Sequence, residues 1–179
     1  MFMICCVTGH RSKGFPFKRD LDNVAYMEYE YLLHCEIEKL IYMGYTDFIS
    51  GMAEGADMDF ADDVLFWRSN LDDDIYHITL EAALPYPPKP AKTDSERLKM
   101  RDWVLQQCDY KHIVSPYYHK GCMQKRNCYM VDKSDLVLAV WNGKEEGGTW
   151  NTIKYARSKG KSIRYIMLNE MGKSLYISI

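Results

Sequence analysis

Short apolar runs alternate with longer stretches of helical periodicity along the whole chain, the pattern of a parallel sheet flanked by helices. The first run predicts a strand at Met3 to Thr8. A helix from Leu21 to Met43 follows, with Leu33, Ile37, Leu40 and Ile41 on one face and Gly44 as its stop. The same reading predicts a strand at Tyr45 to Ser50, a helix from Ala53 to Arg68 and a strand at Ile75 to Leu84. Four prolines between positions 85 and 90 then force an extended loop, since proline supplies no donor to a sheet or helix interior. Beyond it the pattern predicts a helix from Ser95 to Cys108, capped by Asp94 or Thr93, and a short strand at Lys111 to Ser115. A helix over 121–133, a buried strand at Asp135 to Trp141, a helix from Thr149 to Ser158 and a strand at Ser162 to Leu168 complete the series. The tail, Leu175 to Ile179, reads as a short edge strand.

These elements specify an α/β fold: one Rossmann-like α/β/α domain over 1–179, with three layers and a mostly parallel sheet. No internal repeat or linker interrupts it. At 179 residues the chain is long enough to bury roughly 70% of its unfolded surface. Met1 to Val7 is apolar but leads into Thr-Gly-His-Arg, so it reads as a strand and not a leader. No stretch approaches the ~18 apolar residues that span a membrane, and a cytoplasmic location is expected. A net charge of −2 provides no general attraction to nucleic acid. The six cysteines include no Cys-x-x-Cys pair, and Cys5 and Cys6 fall together in a buried strand, which argues against a disulfide framework. His119, Cys122 and Cys128 lie close in sequence but match no zinc spacing, so no metal site is expected.

The chemistry-bearing residues cluster where strands end. Thr8-Gly9-His10-Arg11 follows the first strand, Ser50-Gly51-Met52-Ala53-Glu54-Gly55-Ala56-Asp57 the second, and Asn142 through Gly147-Gly148-Thr149 the buried strand near the end. In open parallel sheets, ligands bind beyond the carboxyl ends of the strands. Arg11 suits a phosphate or carboxylate, and His10 suits an oxyanion donor or a base. Asp57 falls in the first turn of a helix, where its carboxylate also complements the helix dipole. Gly147-Gly148-Thr149 opens a helix whose free N–H groups make an anion seat, with Asn151 in its first turn. Neither Gly-x-Gly-x-x-Gly nor the P-loop is present, so hydride transfer on a conventional dinucleotide site and P-loop hydrolysis are not supported.

In order and spacing, these motifs resemble the SLOG superfamily of Rossmann-like ligand-binding domains, in its YpsA/YspA-like branch. Thr8 to Arg11, Ser50 to Asp57, Arg126-Asn127 and Gly147 to Thr152 carry the resemblance over nearly the whole chain. It implies a nucleotide-like or nucleic-acid-like ligand at the strand ends, and a homodimer, for which the tyrosine-rich helix segment Tyr26 to Tyr31 is a candidate surface. LOG-type phosphoribohydrolases, which are related, keep an arginine nine residues before the aspartate that opens a strand, an interval shared by Arg126 and Asp135. They also carry Gly-Gly-x-Gly-Thr-x-x-Glu with a catalytic glutamate, and here Thr152 stands at that place. A threonine cannot serve as a carboxylate at neutral pH. The related DprA-type domains, which bind single-stranded DNA, look similar at Ser-Gly-x-Ala-x-Gly-x-Asp and Arg-Asn.

The leading expectation is a module that binds a nucleotide or nucleotide-derived ligand, such as an ADP-ribose-like compound, as a sensor or sequestering protein. Thr8, Gly9, His10, Arg11, Ser50, Gly51, Gly55, Asp57, Arg126, Asn127, Asn142, Gly147, Gly148, Thr149 and Asn151 are its candidate binding residues. The alternatives are an N-glycosidic hydrolase of nucleotides, with His10 and Arg126 as candidate catalytic residues, and single-stranded nucleic-acid binding.

Overall fold

In the computed structural model, residues 3–88 and 96–172 are described. Six strands, β1 (Met3–Gly9), β2 (Tyr45–Ser50), β3 (Thr79–Leu84), β4 (Tyr110–Ile113), β5 (Leu136–Trp141) and β6 (Ser162–Met167), form one sheet in the order β4-β3-β2-β1-β5-β6. Every described pairing is parallel. The helices are α1 (Val24–Tyr42), α2 (Ala56–Asn70), α3 (Glu96–Gln107), α4 (Cys122–Lys133) and α5 (Gly147–Ser158). The chain steps outward from β1 to β4, then returns to place β5 on the other side of β1. That reversal opens a crevice between β1 and β5 at the carboxyl edge of the sheet, the position where open α/β sheets bind ligands.

Two apolar layers enclose the sheet. One joins Cys5, Phe48 and Leu80 to Leu33 and Ile37 of α1, Phe60 and Val64 of α2 and Val104 of α3. The other joins Cys6, Ile49 and Val137 to Met130 and Val131 of α4 and Ala156 of α5. Adjacent cysteines thus serve opposite layers, because successive side chains of a strand point to opposite faces. Burial lifts the Cys6 thiol to about 12 and raises Cys5 too, so both behave as small apolar groups. All six cysteines are unbridged.

Element boundaries depart from the local pattern where loops take their hydrogen bonds from elsewhere. The strand expected from Ile75 begins at Thr79, because the N–H groups of Ile75 and Tyr76 bond to the Asp72 carbonyl and close a turn. α2 begins at Ala56, since Met52 and Gly55 take positive φ values of 55° and 100° that no helix accommodates. α1 begins at Val24, with the Asn23 carboxamide accepting from Ala25 and Tyr26 at 3.0 and 3.2 Å. The strand expected through Ser115 ends at Ile113. The predicted edge strand Leu175 to Ile179 lies outside the described residues. Within Tyr26 to Tyr31, Tyr29 is fully buried and Tyr31 is exposed, so only part of that segment is open surface.

Candidate functional site

The second loop is organised around one buried ion pair. Asp57, in the first turn of α2, meets the guanidinium of Arg126 from α4, with Nη1 and Oδ2 3.0 Å apart and both side chains more than nine-tenths buried. The Ala53 N–H donates weakly to the same oxygen at 3.4 Å. Burial raises the Asp57 carboxyl above its ordinary value, and Arg126 opposes that shift. Ser50 stands behind the pair: its hydroxyl donates to the Asp57 carbonyl at 2.6 Å and accepts from the Met52 N–H at 3.2 Å. Gly51 leaves room for the arginine, because a Cβ there would sit 1.0 Å from Arg126 Nη1.

The first loop is docked on the second. The Ala56 N–H donates to the His10 carbonyl at 3.1 Å. A Cβ on Gly55 would lie 2.4 Å from that carbonyl, and one on Gly9 would lie 2.3 Å from the Ala56 Cβ. These glycines therefore let two loops and a helix start meet at backbone distance. The His10 ring packs over Gly14, and its Nε2 is buried with no hydrogen-bond partner among the described residues. Asn142 braces the arrangement from the third loop: Nδ2 donates to the Gly14 carbonyl at 3.0 Å and Oδ1 accepts from the Lys144 N–H at 3.1 Å.

The third loop supplies the anion seat. Gly147 has φ 77°, which frees the chain to turn into α5. Among the described residues no side chain caps this helix start. Its first N–H groups have no intrahelical partner and carry the positive end of the helix dipole. Around Gly148 a Cβ would meet nothing within 4 Å. Thr152 is 2% exposed and bridges helices: its hydroxyl donates to the Gly148 carbonyl at 2.9 Å and accepts from Asn127 Nδ2 at 2.8 Å.

These parts enclose a cavity of about 310 Å³ lined by Thr8, Gly9, His10, Arg11, Asp57, Arg126, Asn127, Gly148 and Thr149, among others. Beside it runs a groove of about 1390 Å³, reached by Gly51 and Gly55, and Arg11 and Arg126 border both spaces. Arg126 Nε is buried and has no hydrogen-bond partner among the described residues. Arg11 is exposed. Arg19, also on the groove, is committed to Asp59 and to the Ser12 hydroxyl. A family model described as the YspA SLOG family matches residues 5–171, the span that carries all three loops. The chain belongs to that family. No curated protein gives a significant match to it.

Nine of the candidate residues gather around one cavity. Ser50 and Asn142 stand behind it as braces, Gly147 turns the chain into α5, and Asn151 is exposed outside both spaces. Sequence reasoning missed Tyr86, Tyr117, Tyr118 and Met123, all on the groove. The prolines at 85 and 116 beside those tyrosines were the available signal, marking loops that start where β3 and β4 end.

His10 is expected to give the folding stability a pH dependence. Burial lowers its imidazole from the ordinary 6.5, Asn142 works against that, and Lys144 adds to it. The folded chain then holds fewer protons than the unfolded chain as the medium acidifies, so stability is lost as pH falls below 6.5 through the lower folded value. Urea denaturation between about pH 5 and 7.5 is expected to show this decline, flattened in His10→Asn. An identical decline in that variant would assign it elsewhere.

Proposed function

We propose that this SLOG chain binds a nucleotide or nucleotide-derived ligand at the crevice between β1 and β5, as a sensor or sequestering protein. The observation that carries the reading is the uncapped α5 start facing the same cavity as Arg126, a nine-tenths-buried guanidinium with an unpartnered Nε. A helix start of this kind favours an anion, and a buried arginine N–H without an acceptor is costly until one arrives. A phosphoryl group at Gly148 and Thr149 would meet both, with the exposed Arg11 closing over it.

Binding is favoured over cleavage by the state of Thr152. It stands where LOG-type enzymes place their glutamate, yet it is buried and its hydroxyl is occupied by Gly148 and Asn127. Glu145 and Glu146 are exposed and border neither space. Titration calorimetry with AMP, ADP-ribose, a dinucleotide and ribose 5-phosphate is expected to give saturable heat with at least one, weakened in Arg11→Ala. Absence of heat from all of them at millimolar concentration overturns the reading. Chromatography of the same mixtures for free base separates binding from hydrolysis.

A further inference from the structure

The groove beside the anion seat has its own construction, and its walls differ in character from the cavity. Its outer wall is aromatic. Tyr117 and Tyr118 are 69% and 67% exposed, although both stand next to a large concavity. Tyr118 meets Tyr86 edge to face, with centroids 5.5 Å apart and planes at 87°. An edge-to-face pair uses at most one face of one ring, so flat aromatic surface remains available to a third ring.

The loop that carries the tyrosines is held rigidly. The Val114 N–H donates to the Leu84 carbonyl at 3.0 Å, tying its start to the end of β3. Ser115 is 3% exposed and bonds to His119 Nε2 at 3.1 Å, closing a five-residue turn around Pro116, Tyr117 and Tyr118. His119 Nδ1 faces the Lys120 carbonyl at 3.0 Å. A carbonyl only accepts, so Nδ1 carries the proton and Nε2 accepts from the Ser115 hydroxyl. Prolines at 85 and 87 stiffen the facing segment around Tyr86.

We propose that Tyr86 and Tyr118, with Tyr117 beside them, form a shelf for the nucleobase of the ligand whose phosphate occupies the α5 seat. This rests on the nucleotide reading above and narrows it: the ligand carries an aromatic base and is not a sugar phosphate alone. Continuity supports one ligand in both spaces, since Arg11, Ala53, Met123 and Arg126 border the cavity and the groove alike. Charge supports the direction, with the phosphate at the arginines and helix start and the base toward the tyrosines. Stacking on aromatic side chains tolerates any base, so the shelf selects for the presence of a base more than for its identity.

The test compares titration calorimetry of the full chain and of the double variant Tyr86→Ala, Tyr118→Ala. Both are titrated with ribose 5-phosphate and with whichever of AMP and ADP-ribose binds the unmodified chain more tightly. Tyr118 is mostly exposed, so Tyr118→Ala alone provides a version that spares the fold, with thermal melting as the check. The expected result is a loss of about tenfold or more in nucleotide affinity for the double variant, and no change for ribose 5-phosphate. The unmodified chain is also expected to prefer the nucleotide over ribose 5-phosphate by a similar factor. Equal affinity for the two ligands, or unchanged nucleotide affinity in the variants, overturns the shelf and leaves the anion seat standing. If the unmodified chain binds none of AMP, ADP-ribose, the dinucleotide and ribose 5-phosphate, the seat and the shelf fall together. Ser115→Ala, which unpins the turn, is expected to weaken the nucleotide alone and by a smaller factor.

Discussion

Arg126→Met is expected to destabilise the chain by roughly 3–5 kcal/mol and to abolish ligand binding. Methionine approximates the length of the arginine stem but removes the charge that Asp57 faces. Asp57 is 6% exposed, and among the described residues the other hydrogen bond to its carboxylate is the 3.4 Å approach of the Ala53 N–H. Burial already raises the Asp57 carboxyl, and losing Arg126 raises it further. A group whose folded value is raised contributes stability that is present in acid and lost as pH rises. The deficit should therefore shrink toward pH 4 and grow toward neutrality, which urea denaturation across that range will show. Adding Asp57→Asn should recover much of the stability, since it removes the stranded charge, while leaving binding absent. A deficit below about 1 kcal/mol at neutral pH would mean that Asp57 does not depend on Arg126.

The second large effect is expected at Gly55. Its φ of 100° and ψ of −138° lie in a region that L side chains rarely enter, at about 1–3 kcal/mol per residue. A Cβ would also stand 2.4 Å from the His10 carbonyl and 2.8 Å from the Arg11 Cα, which are backbone atoms that cannot turn aside. Relieving the contact separates the first loop from the second and breaks the Ala56 to His10 hydrogen bond, adding about 1 kcal/mol. Gly55→Ala should then cost roughly 2–5 kcal/mol in chemical denaturation and weaken binding through displacement of His10 and Arg11. Gly148→Ala provides the contrast. Its added Cβ meets no atom of the described residues within 4 Å, so stability should stay within about 1 kcal/mol while nucleotide binding falls. Equal destabilisation by the two substitutions would refute this division between a glycine that joins loops and one that leaves room for a ligand.

That division was not legible in the sequence. Gly51, Gly55 and Gly148 look alike as residues that follow strands, and all three are candidate binding residues on the sequence alone. In the fold, Gly51 admits the Arg126 guanidinium, Gly55 admits the His10 carbonyl, and only Gly148 faces open space. Asp57 reads in the sequence as a candidate binding residue in a helix's first turn, and nothing local shows that it pairs with a residue 69 positions away. The tyrosines of the groove escaped notice because Tyr86 and Tyr118 lie on loops after different strands, and only the neighbouring positions of β3 and β4 bring them together.

By itself, the sequence determined the alternation of strands and helices, the parallel α/β class and the three strand-end loops. Those properties are written in local periodicity and in glycine and proline punctuation, which act over a few residues. Family membership was readable for the same reason, as motifs in a fixed order along the chain. Tertiary structure decided what each motif residue touches. The order β4-β3-β2-β1-β5-β6 sets which loops share an edge, so it alone could pair Asp57 with Arg126, bury Thr152 between α4 and α5, and leave the α5 start uncapped toward the cavity. Such contacts depend on which distant segments the sheet brings side by side, and local pattern carries no record of that.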